Sequence, residues 1–369
     1  MTGKNRNLRK KEADFILLFC TMTLLAIGVV MVFSASYYVM QDRSDPYFHL
    51  RRQVMWAALG LVGMLFFSNY SYWKLKRWTN LFLLVSFLLL VAVFIPGIGV
   101  EIYGAKRWIG IGSLTAQPSD MAKLALVMFA AAYLSQKKIR IENFFQGPLP
   151  VLAVMGIFFL VILKQPDLGT AVVLAGTIMI VVFVAGMKIQ HVFGVALCAV
   201  PLMVYLMLSE PYRLRRLLSF RDPWADPLDT GYQIIQSLYA IGPGGLFGVG
   251  LGHGRQKMYY LPEPHSDFIF AVIGEELGFI GTSSVLILFF LLFWRGFKIA
   301  LSAPDAYGSL LATGITGMIG LQTLMNIGVV TGSIPVTGIN LPLISSGGSS
   351  LFFTLCSIGI LLNISKYTR

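Results

Sequence analysis

Cysteine is scarce in this 369-residue chain, and the three present, Cys20, Cys198 and Cys356, lie inside apolar runs with no paired spacing. That excludes a disulfide framework and a cysteine zinc site. Only four histidines and no Cys-x-x-Cys leave little to hold a transition metal, and redox chemistry has no carrier. Charge is thin as well: Asp, Glu, Lys and Arg make up 12% of the residues, about half of what a soluble domain carries. No glycine-rich stretch leads into Gly-Lys-Ser/Thr, which excludes a Walker phosphate loop. Internal repeats of 20–50 residues and low-complexity tails are also missing.

What the chain holds instead is apolar surface, with 56% hydrophobic residues and a mean hydropathy of +0.73. A hydrocarbon core about 30 Å thick is crossed by roughly 20 mainly apolar residues in a helix. About ten such runs lie near 15–37, 52–70, 80–96, 119–134, 148–163, 168–186, 189–208, 267–294, 306–330 and 345–365. Backbone inside lipid must satisfy its own hydrogen bonds, and runs of this length do so as helices. The expected fold is therefore an all-α polytopic membrane protein of about ten transmembrane helices, one integral membrane domain over 1–369. The first run ends in Ser34-Ala35-Ser36, which resembles a signal-peptidase site. Its apolar stretch exceeds the usual length of about 7–15 residues, so an uncleaved anchor is expected.

Ten spans place both termini on one side. With the N and C termini cytoplasmic, the inner segments, including a basic tail over 1–14, carry 16 Lys and Arg against 4 Asp and Glu. Everything else holds 13 of each, so the whole net charge of +12 lies inside. That is an insertion signal, and no nucleic acid is needed to explain it.

The connection 209–266, between the seventh and eighth spans, is then a large extracytoplasmic loop, and loops of that length are usually functional. Within it, 231–241 has apolar residues at helical spacing but is too short to span, as in a re-entrant or interfacial helix. The loop gathers Arg213, Arg215, Arg216, Arg221, Arg255 and Lys257 on the side where bases are disfavoured, which points to an anionic ligand. Gly242–Gly254 (GPGGLFGVGLGHG) adds seven glycines, whose amides can form either an anion nest or a plain hinge. Lys106 and Arg107, in the 97–118 loop, add cations to the same side or snorkel to lipid phosphates.

After Pro262 and Pro264 comes Asp267, at the mouth of the eighth helix. It either caps that helix or, in a partly dry cleft beside cations, serves as a general base. Glu275 lies about 80° around the helix from Asp267 and shares its side, whereas Glu276, about 180° away, suits helix–helix hydrogen bonding. Asp120 and Lys123, three apart in the fourth span, can pair on one face, either as a structural ion pair or in a substrate role. Lys164-Gln165-Pro166-Asp167 interrupts two spans and either lines a cavity or makes a turn. The ninth loop, Thr331–Ser350, is uncharged and reads as irregular backbone buried in protein.

Six segments occur together in order: GAKRWIG (104–110), AQPSD (116–120), KQPDLGT (164–170), GYQIIQSLYAIGPGG (231–245), LPEPHSDFIFAVIGEELG (261–278) and NIGVVTGSIPVTGINLPLISSGGSS (326–350). As a set they resemble the SEDS family of bacterial shape, elongation, division and sporulation proteins, over nearly the whole chain and most closely its sporulation branch. The resemblance implies a peptidoglycan glycosyltransferase that polymerises lipid II, an undecaprenyl-diphosphate-linked disaccharide pentapeptide, at the outer face of the bacterial cytoplasmic membrane. It implies a class B penicillin-binding protein as partner and places the family's catalytic aspartate on Asp267. Candidate substrate-binding residues are Lys106, Arg107, Arg213, Arg215, Arg216, Arg255, Lys257, Lys164, Asp167, Glu275 and Ser349. Three departures from the family pattern stand out: Asp120 in place of Glu, Gly254 in place of Ser, and Leu343 and Ser346 in the ninth loop. A divalent cation, Mg or Mn, would suit a diphosphate, but no ligand set for one is evident. The rival reading is a flippase for the same precursor, which would need polar groups running through both leaflets.

Overall fold

The computed structural model describes residues 11–41, 45–102, 104–111, 114–137, 139–258 and 260–368; residues 1–10 of the basic tail, with Lys138 and Arg369, fall outside them. The chain opens with α1 (Phe15–Gln41), α2 (Phe48–Asn69) and α3 (Tyr72–Ala92). Three short strands follow, β1 (Gly99–Ile102), β2 (Ala105–Ile111) and β3 (Leu114–Ala116). Next come α4 (Pro118–Leu134), α5 (Pro148–Lys164), α6 (Leu168–Val184) and α7 (Ile189–Leu208), then α8 (Pro211–Arg221) and α9 (Tyr232–Ile241). The last three helices are α10 (Ile269–Ser302), α11 (Ala306–Val330) and α12 (Ser349–Ser365). Six of these, α1, α2, α3, α7, α10 and α11, are long and apolar enough to cross a membrane, and α5, α6 and α12 are shorter apolar helices. Helix α1 runs unbroken through Ser34-Ala35-Ser36.

Two expectations need correction. The fold is not all-α, because residues 99–116 form an antiparallel sheet in the order β1-β2-β3, with Val100 opposite Trp108 and Ile109 opposite Ala116. Strands of three to seven residues are too short to register in a search for 20-residue apolar runs. Nor is the helix expected at 231–241, which is α9, alone in the 209–266 connection, since α8 precedes it. Helix α9 is anchored to the bundle by Ser237, whose hydroxyl donates to the Val330 carbonyl at 2.7 Å.

The helices close on one another through small residues, as expected where lipid provides no hydrophobic drive between them. A Cβ added at Gly359 of α12 would stand 2.5 Å from the Met64 carbonyl of α2, and one at Gly314 of α11 would stand 2.4 Å from Val127 of α4. Polar bonds gather the ends. Asp14 pairs with Arg295, the Tyr72 hydroxyl bonds Asp305, and Lys366 donates to the Ser68 carbonyl at 2.7 Å. The segment before α1, the α2–α3 and α10–α11 turns and the C-terminus thus share one end, the end that the charge count assigns to the cytoplasm. At the opposite end Arg52 of α2 bonds Thr115 of β3.

Helix α10 is two pieces meeting at Gly278, where φ is 63° and ψ −158°, a region that is essentially glycine-only. The glycine-rich segment 242–254 threads into this break. Val249 and Gly250 donate their amides to the carbonyls of Glu275 and Glu276 at 3.0 and 3.1 Å, while Phe279 and Ile280 donate to Gly245 and Leu246 at 2.9 and 3.1 Å. A side chain at Gly278 would strike the Gly248 amide nitrogen at 2.3 Å. Gly278→Ala is therefore expected to destabilise the protein by on the order of 2–4 kcal/mol through strain and clash together. A melting temperature in detergent equal to wild type would contradict this.

Candidate active site

Asp267 does not cap a helix. Helix α10 begins two residues later, and its N-cap, Phe268, offers no side-chain hydrogen bond. Instead the backbone leading into it is bonded to α11 and the ninth loop. The Asp267 carbonyl accepts from Asn326 Nδ2 at 2.7 Å, the Ser266 carbonyl from Ser345 Oγ at 2.7 Å, and the His265 carbonyl from the Ser346 amide at 2.9 Å. The partly exposed carboxyl lines a cavity of about 700 Å³. Ser266 donates to its Oδ1 at 3.0 Å.

Three arginines line the same cavity: Arg107 from β2, Arg216 from α8 and Arg52 from α2. Arg107 is oriented by the Lys164–Asp167 turn, donating to the carbonyls of Gln165 and Pro166. Arg216 reaches the Val336 carbonyl at 3.4 Å. A buried pair also lines it, Asp120 and Lys123, 3.0 Å apart. Ser349, at the start of α12, donates to Asp120 Oδ2 at 2.9 Å and accepts from the Gln117 amide at 2.9 Å. Asp167 is buried as the N-cap of α6, accepting from the Thr170 amide and from Gln117 Nε2. It holds a lining residue in place from behind.

Electrostatics give the carboxyl an unusual midpoint. The Asp267 pKa is raised to about 6, chiefly by burial and also by Glu263, against the Ser266 hydrogen bond, Arg216 and Arg107, which pull it down. His265 goes the other way, lowered to about 4 by burial and then by Arg52. It is therefore neutral near pH 7 and adds no positive charge to the cavity. Its ring lies 4.0 Å from that of His49.

Several expected site residues lie elsewhere. Lys106 is exposed and faces Glu101 at 3.9 Å. Arg213 is buried and donates to the Leu206 carbonyl at 2.9 Å, closing the end of α7. Arg215, Arg255 and Lys164 are exposed and do not line the cavity. Lys257 is fully buried against Glu276 at 2.5 Å and Ser34 at 2.9 Å. Glu275, on the same helix, accepts the Arg255 and Gln256 amides at 2.6 and 3.1 Å. The glycine amides at 248–250 that would have formed an anion nest bond backbone carbonyls. Intramembrane charge and backbone took these partners because nothing else was there to satisfy them. Missed by the sequence reading were Arg52, His49, His265 and Gln117, all of which line the cavity. Arg52 had a signal: it is a base at the non-cytoplasmic start of a span. Among the described residues no group of three or more His, Cys, Asp or Glu is placed to hold a metal.

Glu276→Gln would leave the Lys257 ammonium buried without its counter-charge, at an expected cost of about 3–5 kcal/mol. The paired replacement Glu276→Gln with Lys257→Met should recover much of that loss. If the double variant melts no higher than the single one in detergent, the pair is not the source of the cost.

The family model for FtsW, RodA and SpoVE, described as cell cycle protein, matches residues 15–369. The chain is 49% identical to stage V sporulation protein E of Bacillus subtilis (strain 168), over 98% of this chain and 99% of that one. It is 43% identical to the probable peptidoglycan glycosyltransferase FtsW of Geobacter sp. (strain M18), again over 98% and 99%. Among solved structures, a chain of a peptidoglycan synthase complex, solved for the structural coordination of polymerization and crosslinking, superposes with a TM-score of 0.78. It is 34% identical, over 96% of this chain and 97% of that one. The rod shape determining protein RodA of Thermus thermophilus gives a TM-score of 0.70 at 32% identity, over 96% of each chain. The chain belongs to the FtsW/RodA/SpoVE family, and it is a multi-pass membrane protein.

Proposed function

We propose that this protein is a peptidoglycan glycosyltransferase that polymerises lipid II at the outer face of the cytoplasmic membrane, with Asp267 as general base. The observation that carries this reading is one carboxyl of raised pKa opening on a cavity that three arginines share. Names of relatives support the activity: several are probable peptidoglycan glycosyltransferases. The 49% identity to a sporulation protein supports service in cortex synthesis over division. A synthase complex among the structural neighbours supports a class B penicillin-binding protein as partner.

Lipid II presents an α-linked sugar whose leaving group is a lipid diphosphate, and the glycan formed is β-linked. Direct displacement with inversion accounts for both. The ionised Asp267 accepts the proton of the acceptor 4-hydroxyl as that oxygen attacks the anomeric carbon. The C–O bond to the diphosphate breaks, and Arg107 and Arg216, with Arg52 beside them, meet the charge that develops on the departing oxygen. Guanidinium suits this task because its planar fork matches phosphate oxygens and stays charged. A Mg or Mn ion accompanying lipid II would be held by the oxygens of the diphosphate and would add to the positive charge that meets the leaving group. A flippase is less well supported, because no lining residue of the cavity comes from the end where the chain termini meet.

Purified protein with lipid II and the transpeptidase partner provides the test. Asp267→Asn should lower polymerisation by on the order of 100-fold or more while melting like wild type; full polymer yield would remove Asp267 from the mechanism. Since the ionised carboxyl is the active form, the wild-type rate should fall as pH drops through about 6. A rate that holds level down to pH values near the ordinary aspartate range would contradict the raised midpoint. Arg107→Ala and Arg216→Ala should each slow turnover by roughly tenfold or more, whereas Lys106→Ala should leave it near wild type. Equal losses at all three positions would point to general surface charge.

A further inference from the structure

We propose that Asn326 is a positioning residue for Asp267, using one side-chain amide to fix the backbone from which the carboxyl is presented. This rests on the reading of Asp267 as the base. Asn326 lies near the end of α11, is 1% exposed, and does not line the cavity. It therefore acts through its neighbours and not on substrate. Its Nδ2 donates to two carbonyls at once, those of Asp267 and Ile339, each at 2.7 Å. Both partners are acceptors, so the amide has only one workable orientation: turned over, its oxygen would face two oxygens. The cost of that orientation is visible, because Oδ1 is buried with no hydrogen-bond partner among the described residues. A residue kept for stability alone would not leave a buried acceptor unsatisfied when an apolar side chain of the same size would fill the space.

The second carbonyl explains why one amide must serve two strands. Ile339 belongs to the ninth loop, which passes close over Asp267: Gly338 has φ 70°, and a Cβ there would stand 3.5 Å from Asp267 Oδ2. Stapling residue 267 to residue 339 therefore sets both the height of the carboxyl and the width of the opening above it. Ser345 provides a second strut, donating to the Ser266 carbonyl and accepting from the Leu341 amide at 2.8 Å. The charged and titratable groups facing Asp267 are Glu263, His265, Arg107 and Arg216, with His49, Arg52, Asp120 and Lys123 on the same cavity. None of them bonds Asn326 in the described structure, so replacing it alters the position and hydration of the carboxyl without removing a neighbouring charge.

Asn326→Leu, similar in size but without the amide, is the test, assayed on purified protein with lipid II and the partner transpeptidase. The expected result is a kcat at least tenfold lower, a KM within twofold of wild type because the arginines are untouched, and an acid limb moved below about 6 as water reaches the carboxyl. A kcat and limb equal to wild type would overturn the proposal. So would kcat and KM changing together with the limb unmoved, which is what a merely structural residue gives. Should Asn326→Leu fail to fold, Ser345→Ala decides: a reduced kcat with the limb displaced in the same direction supports the staple, and wild-type kinetics overturn it. Asp267→Asn is run alongside. If that variant polymerises normally the base assignment itself fails, whereas if it is inactive and Asn326→Leu behaves as wild type only the positioning inference fails.

Discussion

At Gly278 the longest helix of the bundle leaves helical geometry in a part of the chain where no water is at hand to satisfy the freed backbone. Each unpaired amide or carbonyl there would cost several kcal/mol. The glycine-rich strap removes that cost by bonding on both sides of the break, and only glycine lets it come close enough. A Cβ at Gly248 would lie 2.1 Å from the Glu276 carbonyl, and one at Gly244 2.0 Å from the Gly274 carbonyl. The same docking brings residues 255–257 against α10, where Glu275 takes two loop amides and Glu276 takes the Lys257 ammonium. The outer loop is thus fixed to the helix that Asp267 introduces, and the cavity wall inherits its rigidity from a backbone constraint.

That rigidity gives the carboxyl its character. Burial pushes the group to protonate; the Ser266 hydrogen bond first, and then Arg216 and Arg107, favour the ionised form. The two effects oppose, and their balance sets a midpoint of about 6, close to where a base is both ionised and able to accept a proton. His265 beside it is driven neutral, so apart from Lys123, which Asp120 pairs, the cations lining the cavity are guanidinium groups, whose charge does not respond to pH in this range.

The helical framework was legible because apolar runs of membrane-spanning length need no tertiary information to be read. The importance of Asp267 was also legible, from its motif and its place at a helix mouth. Its environment was not. Lys257, Glu275 and the glycines were read as ligand-facing because a base, an acid or a bare amide outside the membrane looks available until its partner is known. The partners, Ser34 on α1 and the carbonyls flanking Gly278, are distant in sequence or lie inside a helix that periodicity treats as continuous. The sheet was lost for a different reason: strands this short have no long-range signature, and Arg107 owes its aim to one of them. Asn326 showed nothing in sequence, since an asparagine in a span reads as helix–helix glue whatever it holds.

The lining of the cavity bears on what the protein can do with a lipid-linked anion. Among the lining residues Asp120 and Lys123 neutralise each other. Beyond them, α4 continues as Leu124, Ala125, Leu126, Val127 and Met128, all buried, and Gly314 lets α11 close directly on Val127. A diphosphate carried across the bilayer would need donors along that stretch, where its desolvation would otherwise be prohibitive. The chain places small and branched apolar side chains there instead. An anion entering the cavity therefore meets its three arginines and then this apolar stretch of α4, an arrangement suited to chemistry at one face.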